Sequence, residues 1–243
     1  DETAAEINRN KLVALAAFIA LKEKNGGVIV TDSVTSDGLN EFIENNLGGV
    51  HHRFKRGYKN VINKSMELNA AGIDSQLAIE TSGHAAYKEN YLDDGAYLIT
   101  RIIIEAASLK KQDKTIGAVI EELKIPLEER ETRFTIKLKD FRDYGTGVIN
   151  DFKALAEKTD GLTVAPVNHE GVRVSFDESN GDGWQLLRMS VHEPILVLNC
   201  ESNKEGGVEQ MMNFFKAFTT FSAFISLTVL KTLKPIFLFI IPF

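Results

Sequence analysis

GVIVTDSVTSDGLNEFIENNLGGVHHRFKRGYKNVINKSMELNAAGIDSQLAIE, residues 27–80, decides the fold of the amino-terminal part of the chain. GVIVTDS (27–33) is an apolar run of strand length and reads as a buried strand. VHHRF (50–54) is a second short strand and QLAIE (76–80) a third. Between them Asp37 is placed to cap a helix whose apolar face is Leu39, Phe42, Ile43 and Leu47, closed by Gly48 and Gly49, and KNVINKSMELNAAG (59–72) forms another helix. Strands alternating with helices predict an α/β layer with mainly parallel strands.

The α/β pattern extends both ways from this stretch. Upstream, Glu6 to Lys24 reads as a helix, with Ile7, Leu12, Leu15, Phe18 and Ile19 at steps of three to four and Asn25, Gly26 and Gly27 closing it. Downstream, Asp93, Asp94 and Gly95 start a long helix through Ala107. SLKKQDKT (108–115) is a polar break, and the rhythm changes beyond it. RFTIKL (133–138) alternates as a strand and FRDYGTGVINDFKALAEK (141–158) is a helix. GLTVAPV, GVRVSF, WQLLRM and PILVLNC then follow as closely spaced strands separated by Asn, Asp and Gly turns. That predicts an α+β module, one helix on an antiparallel sheet. The expected domains are residues 1–112 (α/β), 113–205 (α+β) and an apolar tail, 206–243.

The chain has 243 residues, a formal net charge of -6 and 44% hydrophobic residues, which excludes global disorder and makes nucleic acid a poor default partner. A single cysteine, Cys200, rules out an internal disulfide. The opening DETAAEINRN is acidic and polar where a secretory leader would be basic and then apolar, so the expected compartment is the cytoplasm or a plastid. The tail holds eight of the fifteen Phe. Its uncharged run, 217–230, is shorter than the roughly 20 residues of a bilayer span. Three readings stay open: a buried or interfacial helix, a membrane anchor within 214–243, or a segment foreign to the domain before it.

Three segments carry polar residues that could do chemistry. In LAIETSGHAAYKEN (77–90), Glu80 ends a strand and is followed by Thr81, Ser82, Gly83 and His84. Ligands of open α/β sheets gather at such carboxyl ends, and a carboxylate beside a hydroxyl can share hydrogen bonds with two neighbouring sugar hydroxyls. The alternative is a turn in which Glu80 and Ser82 cap the next element. HHRFKRGYK (51–59) concentrates Arg53, Lys55, Arg56 and Lys59 in an acidic chain; it is either a phosphate-attracting patch or a solvated strand end. LLRMSVHEPILVLN (186–199) offers the forked donors of Arg188, the hydroxyl of Ser190 and the imidazole of His192, suited to phosphate, though a hairpin with Arg and Ser is common.

The order and spacing of these segments are informative together. ETSGH (80–84), LDDGAY (92–97), then GVRVSF, DGW and LLRMSVHEP resemble the third and fourth domains of the α-D-phosphohexomutase family over about residues 1–205. The resemblance implies that Glu80, Ser82 and His84 form the family's G-E-x-S-G-H loop for sugar hydroxyls, with Ile79 where Gly is usual. It implies that Arg188, Ser190 and His192 form its R-x-S-x-T-x-P loop for the substrate phosphate that is not reacting, with His192 where Thr is frequent. RGYKN (56–60) is similar to the third-domain segment that approaches the sugar phosphate, which singles out Lys59.

The implied activity is a hexose phosphate mutase, in which a phosphoserine exchanges phosphoryl groups with a hexose 1- or 6-phosphate through a bisphosphate intermediate. Magnesium and hexose 1,6-bisphosphate are the implied cofactors. The family's serine loop and its D-x-D-x-D-R metal loop do not occur in these residues, so no catalytic or metal-ligating residue is assigned. The expected partners are a hexose phosphate and amino-terminal domains bearing those loops. A non-catalytic phosphosugar-binding fragment and a membrane-associated protein remain as alternatives.

Overall fold

The computed structural model describes residues 6, 7, 9–22, 24, 26–190 and 193–221. His192 and most of the apolar tail, 222–243, lie outside the described residues. The chain divides into two compact units, Asp1–Pro126 and Leu127–Phe243.

The first unit is built on a four-stranded sheet of order β2-β1-β3-β4, with β1 Val28–Thr31, β2 Val50–Arg53, β3 Ser75–Ile79 and β4 Ala85–Tyr87. β1 pairs in parallel with β2 and β3, while β4 returns antiparallel to β3. Every residue of β1 and β3 is buried, as strands covered on both faces must be. Ile29, Leu77 and Ile79 face one layer with α1 (Arg9–Lys22) and α4 (Gly95–Lys110), and Val28, Val30 and Ala78 face α3 (Tyr58–Ala70). α1 is buried nearly all round rather than along one stripe: Val13 to Ala17 and Ile19 to Leu21 are all in the core. Its small alanines let neighbours approach on several sides.

Two local expectations are corrected. The cap of the second helix is Ser36, not Asp37: Ser36 is extended and its Oγ accepts from the Leu39 N–H at 3.0 Å, while Asp37 is the first residue of α2 (Asp37–Glu41). The helix then widens into a π-helical turn, Phe42–Asn46, whose Leu47 N–H reaches the Phe42 carbonyl. The strand β4 was also unforeseen, because three residues, Ala-Ala-Tyr, are too few to show alternation.

The second unit is an antiparallel five-stranded sheet of order β5-β9-β8-β7-β6. Its strands are β5 Glu128–Thr135, β6 Leu162–Val164, β7 Val172–Phe176, β8 Gly183–Met189 and β9 Ile195–Ser202. The first of these begins earlier than RFTIKL, since the whole of EERETRFT pairs with β9 from Glu128↔Ser202 to Thr135↔Ile195. Two helices supply the core beneath it, α5 (Phe141–Ala156) and α6 (Gly207–Phe221). Val208, Met211, Met212, Phe215 and Phe218 of α6 are buried, and the Phe215 ring lies 5.4 Å from that of Phe152 and 5.3 Å from that of Phe134.

The expected domain limits therefore shift at both places. Residues 113–125 belong with the first unit, whose core takes Ile116, Ile120 and Leu123, so the division falls at Pro126 instead of 112. The second unit does not end at 205, because α6 completes its core. Among the described residues no helix is long and apolar enough to cross a membrane.

Candidate functional site

Parallel pairing decides where the polar residues of the first unit meet. Thr31 is in register with Arg53 on one side and Ile79 on the other, so the residues that follow, Asp32, Phe54 and Glu80, leave the sheet along one edge. From Glu80 the chain turns tightly into β4. The Glu80 N–H donates to the His84 carbonyl and the Gly83 N–H donates to the Glu80 carbonyl, both at 2.9 Å. Gly83 sits at φ +94°, a conformation that disfavours any side chain.

Side chains fix this loop to its neighbours. Glu80 Oε1 accepts from the Gly57 N–H at 2.7 Å, and Gly57, at φ +110°, precedes α3. The Thr81 hydroxyl donates to Asp32 Oδ2 at 2.9 Å. His84 Nδ1 lies 2.7 Å from Asp93 Oδ2, whose other oxygen accepts from the Ala85 N–H, and the Tyr58 ring stacks on the imidazole at 5.3 Å. Ser82 and His84 are exposed, whereas Glu80 is 6% exposed. Lys59 is exposed on the first turn of α3, its Nζ 5.9 Å from the centre of the Tyr58 ring. Glu80, Ser82, His84 and Lys59 thus come to one end of the sheet.

The basic segment 51–59 proves to be of two kinds. Arg53 bonds Thr35 Oγ1, the Ser36 carbonyl and Asp37 Oδ1, and so anchors the start of α2. Lys55 Nζ lies over the Phe54 ring at 5.6 Å. Arg56 turns toward the strand ends, with Nε 3.8 Å from Asp32 Oδ2. Asp32 itself was not singled out from the sequence, although an acidic residue directly after a buried apolar run is a readable signal. Its side chain is fully buried and burial pushes its carboxyl up to about 6, against the Thr81 hydrogen bond and the Arg56 charge that favour ionisation, with Glu80 adding to the rise.

In the second unit Arg188 is buried near the end of β8, on the strand position after Leu187, which faces the helices; alternation places Arg188 on the opposite face. That face also carries Asn199 and Glu131, with Asn199 Nδ2 donating to Glu131 Oε2 at 3.1 Å. Burial acts to raise the Glu131 carboxyl, but hydrogen bonds from Arg133 and Asn199 and the charges of Arg133 and Arg188 hold it below its ordinary value. Ser190 shapes the turn after β8: its N–H donates to the Ile195 carbonyl and its Oγ accepts from the Glu193 N–H at 3.3 Å. Arg188 and Ser190 are therefore two residues apart at one strand end, while the third expected member, His192, is outside the described residues.

No group of three or more His, Cys, Asp or Glu among the described residues converges as metal ligands would. Among the described residues no carboxylate cluster fits the magnesium that the sequence resemblance implies.

The described chain is thus an α/β/α layer with a tight polar loop at its parallel strand ends, followed by an antiparallel α+β unit. Residues 8–125 match the family described as phosphoglucomutase/phosphomannomutase, alpha/beta/alpha domain III. This match and the similar proteins below support a place for the chain in the α-D-phosphohexomutase family. It is 27% identical over 210 residues to a phosphomannomutase/phosphoglucomutase of Pseudomonas syringae pv. tomato, covering 86% of this chain and 41% of that one. It is 29% identical over 143 residues to a phosphoglucomutase of Neisseria gonorrhoeae, covering 58% and 28%. A Burkholderia thailandensis phosphoglucomutase/phosphomannomutase family protein shares the fold at a TM-score of 0.70 and 23% identity, over 92% of this chain and 43% of that one. An Aspergillus fumigatus N-acetylphosphoglucosamine mutase, solved with GlcNAc-6P and magnesium, shares it at a TM-score of 0.58 and 12% identity, over 88% and 43%. The chain spans at most about two fifths of the length of the curated relatives it matches.

Proposed function

We propose that residues 6–221 are the sugar- and phosphate-recognition part of a hexose phosphate mutase, which interconverts hexose 1- and 6-phosphates through a bisphosphate. The observation that carries this is the way loop 80–84 is pinned. One Glu80 oxygen is engaged by the Gly57 N–H, which turns the other into an acceptor of fixed direction. Ser82 stands exposed beside it. Asp93 holds His84 through Nδ1, which leaves Nε2 to meet a ligand. Together these groups suit adjacent hydroxyls of a pyranose ring.

A mutase must bind its bisphosphate in two opposite orientations. Hydroxyls near the middle of the ring occupy similar places in both, so a carboxylate and a hydroxyl of fixed direction serve both. Lys59, and in the second unit Arg188 with Ser190, are assigned to the substrate phosphates, and His192 is proposed with them. A forked guanidinium at a strand end suits a phosphate ester that is held while the other end of the sugar reacts. Magnesium would stabilise the transferring phosphoryl group when a metal loop is present. The same residues would serve a non-catalytic phosphosugar binder, and turnover after the serine and metal loops are supplied separates the two.

Calorimetric titration with glucose 1-phosphate and with inorganic phosphate tests the assignment. Glu80→Gln keeps an acceptor for the Gly57 N–H and removes the charge, so it should weaken hexose phosphate binding by about 1–2 kcal/mol and leave inorganic phosphate unaffected. Arg188→Ala should weaken both ligands. Equal losses for the two ligands in Glu80→Gln would make Glu80 a purely structural residue.

A further inference from the structure

Asp32 is an odd choice for a structural residue. Its side chain is fully buried, Oδ1 has no hydrogen-bond partner among the described residues, and Oδ2 takes both the Thr81 hydroxyl and the approach of Arg56. An asparagine could hold the Thr81 hydroxyl equally well without placing a charge in a buried position. What only a carboxylate supplies is attraction for the Arg56 guanidinium, whose side chain is 35% exposed at the same edge of the sheet. Ionisable groups kept where burial opposes their charge concentrate at functional sites.

Taking the hexose phosphate site above as the ligand site, we propose that Asp32 is its positioning residue in the first unit: Oδ2 fixes Thr81, and with it the 80–84 loop, and aims Arg56 at an anionic substituent of the ligand. Loop 80–84 has its side-chain anchors at Asp32, Gly57 and Asp93. Only the first of these links the sugar loop to a cation. The charged and titratable groups around Asp32 are few. Arg56 faces it from the loop before α3, and Glu80 faces it from the end of β3. Arg53 is committed to Thr35, Ser36 and Asp37, His51 bonds Thr31 Oγ1 at 2.7 Å, and His84 is paired with Asp93. Ionised, Asp32 keeps loop and guanidinium together; protonated, it releases Arg56.

Two measurements on the 243-residue chain decide the matter. The first is an NMR pH titration without ligand, from about pH 8 to about pH 4.5. The Thr81 and Ser82 amide signals and the Arg56 Nε signal should move with the Asp32 carboxyl. In Asp32→Asn that step should vanish. The second is calorimetry with glucose 1-phosphate near neutral pH. Asp32→Asn, which releases Arg56 and keeps the Thr81 bond, and Thr81→Val, which frees the loop and keeps Arg56, should each weaken binding about tenfold, with the double variant weaker than either. Thr81→Ser should bind like the wild type. A wild-type chain that binds no hexose phosphate overturns the function proposed above, and the titration alone then decides Asp32. Loop signals indifferent to Asp32 ionisation, or wild-type affinity in Asp32→Asn, overturn the positioning role.

Discussion

The Asp32 carboxyl has an ordinary value of 3.8 and rises to about 6 in the folded chain, so the native state holds this proton more tightly than the unfolded one. The sign follows from linkage. A group with a raised folded pKa contributes stability that is fully present below the unfolded value, and that contribution is lost as pH rises through the folded value. At pH above about 6 the fold therefore carries an ionised, buried carboxylate at a cost of order 1–3 kcal/mol. Asp32→Asn should be more stable than the wild type by that order at neutral pH, with the difference closing toward about pH 4. Urea unfolding at the two pH values reads this directly, and a variant that is less stable at neutral pH would refute it. Glu80, Ser82 and His84 were legible because they are close in sequence and in a recognisable order. Asp32 and Gly57 were not, because their link to the loop passes through parallel strand pairing, which brings residues far apart in sequence to one sheet edge.

Strands and helices were read best where the periodicity was strong. GVIVTDS and QLAIE are apolar runs that parallel pairing buries, and the long helices α4 and α5 begin within two residues of the expected points. The apolar character of the tail is also explained as far as it is described. α6 is amphipathic, and its Phe215 and Phe218 are core side chains: Phe215 is 2% exposed and packs on Phe134, Phe152 and Phe218. From sequence alone a buried helix, a membrane anchor and a foreign segment all stayed open, because the sheet face that receives these Phe residues is assembled from strands distributed over the preceding residues. Phe215→Ala should cost about 3–5 kcal/mol by opening a cavity between the sheet and α5. Thermal unfolding of the second unit, produced by itself, would show the loss, and a cost under about 1 kcal/mol would mean that α6 is not part of that core.

Two cores in one chain make the order of assembly testable. Ile116, Ile120 and Leu123 close the first core from beyond the polar break at 108–115, so residues 1–126 should fold alone and residues 1–112 should not; cooperative unfolding in the first and its absence in the second is the check. SLKKQDKT reads as a polar break, but nothing in its sequence shows that the chain returns to the first core after it. Function at this scale demands more than the two units contain. On the function proposed above, recognition rests on loop 80–84 and on the strand end carrying Arg188 and Ser190. Phosphoryl transfer also needs a nucleophile and a metal held in line with the scissile bond, and effective alignment of that kind is worth many orders of magnitude in rate. No metal-ligand cluster is present among the described residues, and the family's serine and acidic loops do not occur in the 243-residue sequence. The chain by itself should therefore bind glucose 1-phosphate without turning it over. Joined to the amino-terminal half of a close relative that carries both loops, it should gain mutase turnover dependent on magnesium and bisphosphate. In that joined protein Arg188→Ala should reduce turnover by at least about a hundredfold, because releasing the distal phosphate misaligns the reacting one. Turnover by the unjoined chain, or a joined enzyme indifferent to Arg188→Ala, would overturn the division of labour.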